Sequence, residues 1–291
     1  MRGKFWSRMQ TDNPRLGAAY AVAAGALFAI MGSLIKLASA QLPNEAIVFL
    51  RNLVAVAALL PIFLGRRRVT FRTHRLGLHI MRAAFGVAAM YCFFYALGRL
   101  PLADAMLLNF AMPVFIPWIA WLWLAERPRW QVHVATVLGL LGIALIVKPS
   151  GAMVSGAGLI GAMAAVFAAV AMVTVRKLSS TEPAPRIVLY FAALALLLSG
   201  VPAWFRWEGL GIHAALIMLG VGLCATAGQL CLTRAYALAR AAEIGTLVYC
   251  TVPFAAALGW LFWGEAMDRG TLLGAICVIG AGALANRWRK S

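Results

Sequence analysis

The sequence predicts an all-α membrane protein with ten transmembrane helices, arranged as two inverted five-helix repeats. Hydrophobic residues make up 63% of the 291 residues and charged residues 12%. Soluble domains average about 45–50% apolar residues, glycine included, and about 25% charged residues. A water-soluble monomer of this size could not bury so much apolar surface. The other two observations are ten apolar runs of membrane-spanning length and a duplication of the chain at an offset near 140 residues.

The ten apolar runs follow one another with short connections. They cover residues 16–38, 46–64, 76–97, 102–124, 131–149, 157–178, 186–205, 213–237, 242–263 and 270–286. A helix needs about 20 apolar residues to cross the hydrocarbon core, so little chain remains for an extramembrane domain. The first run is longer than the roughly 7–15 apolar residues of a secretion signal, and we expect it to stay as a span. The brief connections predict tight hairpins of spans 3–4 and 8–9.

The distribution of positive charge predicts the orientation. The net charge is +17, but the basic residues lie in clusters between apolar runs, which argues against a nucleic-acid-binding face. With the N terminus inside, the inner segments hold 18 of the 26 basic residues and the outer loops hold 4. Cytoplasmic loops carry the excess of Lys and Arg. We therefore predict cytoplasmic termini and a bacterial-type inner membrane.

The duplication rests on four features that recur in the same order. The matched pairs are Pro43 and Pro183, YALGR at 95–99 and YALAR at 236–240, Pro113 and Pro253, and WLWLAE at 121–126 and WLFWGE at 260–265. They define repeats of residues 1–150 and 151–291. Because each repeat has five spans, the second must insert upside down relative to the first. Inverted repeats that enclose a midplane site are typical of secondary transporters.

The duplicated halves, each with a Pro…Trp…Glu pattern in the fourth span, resemble the drug/metabolite transporter superfamily, specifically its ten-span EamA-type branch. The resemblance covers nearly the whole chain. It implies that spans 1–4 and 6–9 surround a central cavity and that spans 5 and 10 lie outside it. It also implies transport, often export. Substrates in this branch include amino acids, purine-like and flavin-like metabolites and opine metallophores, and the resemblance does not choose among them.

Arg51 is the strongest candidate for substrate binding. It lies about six residues into span 2, and an arginine at mid-membrane costs about 2.5–3.5 kcal/mol on insertion scales. One hypothesis places its guanidinium in the cavity, facing a carboxylate. The other has it snorkel to the outer interface beside Glu45. For Lys36, Arg82 and Arg234 we expect anchoring at the membrane interfaces.

Polar and aromatic side chains within the spans complete the candidate binding site. A buried amide needs a partner, either a neighbouring helix or the substrate. The polar candidates are Asn52, Asn109, Gln229 and Thr233. Deep aromatic rings either stack on a planar or cationic substrate or pack against helices and lipid. The aromatic candidates are Tyr91, Tyr95, Trp118, Tyr190 and Tyr249. Asn109 also precedes Pro113 by one turn, and proline leaves a backbone carbonyl unpaired, so we expect a hinge or binding position there.

No acidic residue lies in the middle of a predicted span. Proton-coupled carriers usually need a buried titratable group, and the glutamate in the first span of the small four-span multidrug relatives has no counterpart here. This difference argues against proton antiport by that mechanism. Asp104 and Glu243, near the starts of spans 4 and 9, are the remaining candidates, with helix capping as the alternative. We expect Glu126, just before Pro128, to face the start of span 5.

The remaining motifs argue against other classes of function. The five cysteines and four histidines form no metal-ligand or catalytic pattern, and there is no GxxxxGK[ST] phosphate loop. We expect no cofactor, no bound metal, no nucleic acid and no ATP-binding module in this chain. An intramembrane enzyme would need paired carboxylates, a Ser/His pair or a metal cluster. A scaffold would usually carry an extramembrane module.

The sequence therefore favours a secondary transporter, monomeric or homodimeric, that moves a small-molecule substrate across the lipid bilayer. The predicted substrate is a small amphipathic metabolite, amino-acid-like or metallophore-like, and the predicted direction is export. The alternative is import of a flavin- or nucleoside-like metabolite.

Overall fold

The computed structural model describes residues 13–64, 71–97, 99, 108–147, 155–207, 209–264 and 269–287. The helices are α1 (Pro14–Ala38), α2 (Asn44–Leu64), α3 (Leu76–Leu97), α4 (Met112–Leu124), α5 (Trp130–Val147), α6 (Gly156–Leu178), α7 (Ala184–Phe205), α8 (Ile212–Leu238), α9a (Ala241–Leu247), α9b (Thr251–Trp263) and α10 (Arg269–Arg287). Seven helical stretches are long and apolar enough to cross a membrane, and the stretches in α4, α5 and α10 are shorter but apolar. The prediction of an all-helical membrane protein is confirmed.

The turns at equivalent places in the two repeats have the same hydrogen bonds. After α1, the N–H of Leu42 donates to the carbonyl of Ala38 at 2.9 Å, and after α6 the N–H of Glu182 donates to the carbonyl of Leu178 at 2.8 Å. A proline follows each turn, and α2 or α7 begins directly after it. Proline fits the first turn of a helix because its missing N–H is not needed there. The sequence duplication is thus a duplication of local structure.

The fourth span of each repeat is interrupted. In the second repeat, a 3-10 turn at Val248–Cys250 separates α9a from α9b. In the first, the N–H of Ala111 donates to the carbonyl of Leu108 at 3.1 Å immediately before α4. Phe110 and Ala111 form the turn, and Asn109 is the last helical residue before it. A proline follows both interruptions, and its missing N–H explains why a continuous helix does not form. Interrupted spans are accepted in a bilayer only where protein or a cavity surrounds them.

The principal helix contacts join one repeat to the other and obey a pseudo-two-fold relation. Helix α1 packs on α8 as α6 packs on α3, and α1 packs on α9b as α6 packs on α4. Helices α2 and α7 pack on each other, as do α5 and α10. The predicted hairpin of spans 8 and 9 is wrong, because α9b packs mainly on α1 instead of α8. Packing between repeats therefore outweighs the proximity that a short connection provides.

Small residues allow these helices to approach closely. Helix α1 turns Ala18, Ala21 and Ala24 inward, each less than a tenth exposed. Without a hydrophobic drive between helices in lipid, close van der Waals packing holds them together, and small side chains permit it. Helices α5 and α10 cross where Gly142 meets Gly274, and a Cβ on Gly142 would lie 2.7 Å from the carbonyl oxygen of Gly274. Only glycine fits both sides of this crossing.

We predict that Gly274→Ala destabilises the protein while Gly280→Ala does not. A Cβ at position 274 would meet the backbone carbonyl of Gly142, whereas a Cβ at position 280 would meet nothing within 4 Å. Overpacking costs typically about 1–3 kcal/mol, and alanine in an open helical position gains about 0.5–1 kcal/mol over glycine. Thermal unfolding of the two purified variants in detergent measures the difference. Equal melting temperatures would contradict the tight α5–α10 crossing.

Candidate functional site

A cavity of about 190 Å³ lies between α2, α3 and α7. Its lining residues come from the start of α2 and the ends of α3 and α7, which places it toward the predicted outer side. They are Asn44, Glu45, Val48, Val87, Met90, Tyr91, Ala195, Ser199 and Pro202. The walls are mostly apolar with a few polar groups, which is the usual character of a small-molecule site. Both repeats contribute to it.

The cavity marks a departure from the pseudo-two-fold relation. Between α2 and α8, a Cβ on Gly222 would collide with Val54, so those helices touch closely. The equivalent interface between α3 and α7 holds the cavity instead, with Val87 and Ala195 on its walls. An inverted-repeat carrier that is closed on one side and open on the other has this kind of asymmetry.

Arg51 lies one helical turn beyond Val48, on the same face of α2 and deeper in the bundle than the cavity lining. Its Nε atom is buried and has no hydrogen-bond partner. Within the described ranges, neither Glu45 nor any other acid forms a salt bridge with Arg51. Asn52, beside it, is buried, and its amide donates to the carbonyl of Val48 at 2.9 Å. The Asn52 amide is thus satisfied by its own helix, whereas the guanidinium of Arg51 is not.

Arg82 is a site residue that sequence reasoning missed. We expected it to anchor at a membrane interface, but this prediction is wrong because the residue is only 3% exposed. Its guanidinium lies over the ring of Phe191, 4.0 Å from the ring centre, and its Nε has no hydrogen-bond partner. Gly86, one turn further along α3, leaves room for the guanidinium, since a Cβ there would collide with Arg82 Nη1. A glycine four residues after an arginine in a span was the sequence feature that could have indicated room for a buried guanidinium.

Tyr236 of α8 is a third residue with a buried polar atom, besides Arg51 and Arg82. The residue is fully buried, and its hydroxyl has no hydrogen-bond partner among the described residues. Arg82 lies within electrostatic range of both Arg51 and Tyr236. We call the set of Arg51, Arg82 and Tyr236 the polar floor. Its two arginines belong to helices α2 and α3, which line the cavity, and Tyr236 lies near the end of α8 in the second repeat.

Two of the aromatic candidates lie near the end of α3. Tyr91 lines the cavity and is 45% exposed. Tyr95, one turn further, lies beneath Arg99, whose guanidinium carbon is 3.8 Å from the ring centre. Tyr91 thus lines the same cavity as Val48, which precedes Arg51 by one helical turn.

The other aromatic candidates lie apart from Arg51. Trp118 is 53% exposed on the face of α4 opposite its buried residues, tilted against the ring of His133 at 5.4 Å. The ring of Tyr249 is buried against α5, where a Cβ on Gly139 would lie 2.7 Å from Tyr249 Cε2. Tyr190 stacks on His79 with ring centres 4.4 Å apart. A role of these rings in substrate binding stays a prediction.

The three polar candidates remaining are spread over two helical segments. Asn109 is half-buried at the helix end just before the interruption of the fourth span. Gln229 and Thr233 lie one turn apart on α8, half-buried and buried respectively. Gln229 follows Gly228, where a Cβ would lie 2.7 Å from the ring of Phe28 on α1. Their role also stays a prediction.

A charged network joins four helix ends at the predicted cytoplasmic side. Arg176 Nε donates to Glu126 Oε1 at 2.9 Å, and its Nη1 donates to the carbonyls of Tyr236 and Ala237 at 2.9 and 3.2 Å. Glu126 Oε2 accepts the N–H of Ala241, the first residue of α9a, at 3.2 Å. We call Glu126 and Arg176 the clamp. Glu126 lies beside Val132 at the start of α5, as expected. Its carboxylate, however, binds the guanidinium and the α9a N terminus, which both attract it.

A second polar cluster lies at the same end of the bundle. Glu182 is buried, pairs with Arg186 one turn into α7, and accepts the hydroxyl of Thr73 at 2.6 Å. The i, i+4 spacing of an acid and an arginine was a readable signal for this pair. His79 is buried beside it with no hydrogen-bond partner on either ring nitrogen. The hydroxyl of Tyr190 donates to the carbonyl of Phe71 at 2.9 Å, so this end of the bundle is tightly connected.

Of the two predicted acidic candidates, only Glu243 can be placed. It lies in the first turn of α9a. Asp104 lies outside the described residues. Lys36 and Arg234 are at the ends of α1 and α8, and Arg234 is exposed, consistent with an interfacial position.

Comparison with known proteins reveals the family. The model of the EamA-like transporter family matches residues 15–148 and again residues 156–287. The pseudopaline exporter CntI of Pseudomonas aeruginosa is 35% identical, over 97% of this chain and 100% of its own. The riboflavin transporter of Vibrio cholerae is 28% identical, over 95% of this chain and 94% of its own. A solved crystal structure superposes with a TM-score of 0.79 at 18% identity, covering 96% of this chain and 99% of that one, and shows the shared fold.

These matches span both repeats, and they confirm the resemblance predicted from the duplicated motifs. The relatives are small-molecule transporters, so the chain is a small-molecule transporter and a multi-pass protein of a bacterial-type inner membrane. The chain belongs to the EamA-like transporter family of the drug/metabolite transporter superfamily.

Proposed function

We propose that this transporter exports a small amphipathic metabolite with a carboxylate, amino-acid-like or metallophore-like, by alternating access between its two repeats. The observation that carries the proposal is Arg51, an arginine within a span that lacks an ion-pair partner in the described chain and lies one turn beneath a cavity. An intramembrane charge of this kind marks a substrate pathway by default. The name of the Pseudomonas relative, an exporter, agrees with the proposed direction.

In the proposed cycle, the repeats of residues 1–150 and 151–291 rock against each other. Both termini are cytoplasmic, so the clamp closes the cytoplasmic end and the cavity faces outward. The clamp joins Glu126 of the first repeat to Arg176 and Ala241 of the second. These bonds must break for the cytoplasmic end to open, because they join the two repeats that move apart.

In the proposed binding site, Arg51 pairs with the substrate carboxylate and Tyr91 covers an apolar or planar part of it. Asn109, Gln229 and Thr233 line the pathway that opens as the interrupted spans and α8 move. The chain works as a transporter and not as an enzyme, as a monomer or homodimer, and without an ATP-binding module of its own.

The second candidate function is import of a flavin- or nucleoside-like metabolite. The relative named a riboflavin transporter and the exposed ring of Tyr91 at the cavity favour it. A planar ring system would stack on Tyr91. The experiment that tests the first proposal also decides between the two.

That experiment is untargeted mass spectrometry of the culture medium and the cell extract, with and without expression of the protein. A compound enriched in the medium only in the presence of the protein supports export. Enrichment inside the cells would instead support the import alternative. No difference in either pool would contradict transport of a metabolite that the host makes.

We predict that Arg51→Ala lowers the flux of that compound at least about tenfold, because a charge-assisted hydrogen bond contributes about 1.5–3 kcal/mol. The control is Arg234→Ala, which removes an exposed arginine of α8 and should leave the flux unchanged. Both variants should reach wild-type levels in the membrane. Unchanged flux in folded Arg51→Ala would overturn the assignment of this residue but not the transporter function.

We also predict that Glu126→Gln shifts the conformational equilibrium toward opening of the clamp end. The substitution removes the ion pair with Arg176 and weakens the bond to the Ala241 N–H, and about 1.4 kcal/mol corresponds to a tenfold shift. In a background without the native cysteines, Val132→Cys should react with a thiol reagent about tenfold faster. Val132 is buried beside Glu126, so its reactivity reports opening.

The matched control for this prediction is Arg127→Gln. Arg127 is the exposed neighbour of Glu126, so its loss should leave the labelling rate unchanged. If both variants labelled Val132→Cys at the same rate, the clamp would not limit access to this end of the protein.

A further inference from the structure

We propose that the polar floor selects a doubly anionic substrate, namely a metabolite with two carboxylates, and that Arg82 is its second anion-binding group. This inference rests on the proposed function of the cavity and names the chemistry of its substrate. Three observations carry it: the placement of Arg82, the absence of a compensating acid nearby among the described residues, and the ring of Phe191 over the guanidinium.

Arg51 and Arg82 lie on the two helices of the first repeat that line the cavity, the Nε atoms of both are buried, and their guanidiniums are within electrostatic range of each other. Arginine does not lose its proton in proteins, so the polar floor carries two positive charges at any physiological pH. Like charges in a medium of low dielectric repel strongly, and desolvation adds to the cost. A bound dianion removes both costs, whereas a single carboxylate leaves one guanidinium uncompensated.

The acids of the described chain do not compensate these charges. Glu126 is engaged by Arg176 and Ala241, and Glu182 by Arg186 and Thr73. Glu45 lies at the cavity lining, two helical turns before Arg51. Glu243 lies in the first turn of α9a and makes contacts there. Neither arginine of the polar floor has a salt bridge or hydrogen bond with any of these acids.

The ring of Phe191 covers the guanidinium to which the second carboxylate would bind. The guanidinium of Arg82 lies 4.0 Å from its centre, an attraction that offsets only part of the desolvation cost of a buried cation. Phe191 is eight residues after Pro183, and Arg51 is eight residues after Pro43. The two residues are therefore counterparts in the repeats: Arg51 in the first, and in the second the ring that covers Arg82.

Phe191 lies one turn beneath Ala195 of the cavity lining and packs with Ala83 of α3. The ring thus lies between α3 and α7 with the buried guanidinium of Arg82 4.0 Å from its centre. A ligand with one carboxylate on Arg51 brings a second one toward this ring. Separation of α3 from α7 then exchanges the ring for the second carboxylate on Arg82. Because α3 and α7 belong to different repeats, binding of the dianion is coupled to their movement.

The binding test uses purified full-length protein in detergent and measures the rise in melting temperature with succinate or butyrate, at ionic strength matched with sodium chloride. A ligand that binds only the folded state raises its stability in proportion to the logarithm of concentration over Kd. We expect butyrate to require at least about tenfold more ligand than succinate for the same shift, since it forms one charge-assisted contact fewer. Equal shifts, including no shift with either, would overturn the proposal.

Three variants assign the selectivity to Arg82. Arg82→Gln should abolish the difference between succinate and butyrate, and the exposed control Arg234→Gln should keep it.

Phe191→Leu should increase the affinity for succinate, since the ligand no longer has to displace the ring. Gly86→Ala should decrease it without changing the charge, because the new Cβ would lie 2.9 Å from Phe191 Cε2 and would displace the guanidinium. General damage to the fold would lower the affinity in all variants, so a gain in Phe191→Leu distinguishes the two explanations. An unchanged difference in Arg82→Gln would overturn the proposal.

A transport test separates this inference from the proposed function. Methyl esterification of the compound found in the medium counts its carboxyl groups, since each gains one methyl group. Two or more, with export lowered at least about tenfold in Arg82→Gln, support the proposal. One carboxyl group, with export unaffected in that variant, would overturn the proposal and leave the exporter in place. If binding is selective for succinate and depends on Arg82, but no compound is exported, the dianion proposal is supported and the proposed export is overturned.

Discussion

The cost of an uncompensated charge in the membrane interior is the constraint on which the rest of this structure depends. At the predicted cytoplasmic end, the charges are paired. Glu126 meets Arg176 and a helix N terminus, and Glu182 meets Arg186. Under the cavity, Arg51 and Arg82 have no acidic partner in the described chain. Paired charges hold the predicted cytoplasmic helix ends together, whereas the desolvation cost of Arg51 and Arg82 is offset by no described acid.

The inverted repeats provide the means of moving between states. The main contacts join helices of opposite repeats, and each such interface has a counterpart elsewhere in the bundle. The interface of α2 and α8 is closed by Val54 against Gly222, whereas that of α3 and α7 holds the cavity. Small residues at the crossings make such exchange possible, since they let helices slide without interlocking long side chains.

The location of the candidate site follows from its amino acids only in part. Arg51 was identifiable because a charge within a span is costly wherever it points. Arg82 carried the same signal, but its position near the end of a span suggested the interface, and only the ring of Phe191 and the gap at Gly86 show where its guanidinium goes. The aromatic candidates show the same limit. Tyr91 lines the cavity, whereas Tyr249 packs on α5, and nothing in the local sequence separates these two outcomes.

The sequence by itself determined the number of spans, the duplication and the transporter family. These depend on the length of apolar runs and on spacings along one chain. The thickness of the bilayer and its lack of hydrogen-bonding water set that length and require helices. The tertiary structure decided which helices meet. It paired α9b with α1 across the repeats and brought Glu126 to Arg176 and Ala241. It also brought the guanidinium of Arg82 on α3 over the ring of Phe191 on α7. Such contacts join residues far apart in the chain, and their energies depend on which faces the packing turns inward, so no local pattern could specify them.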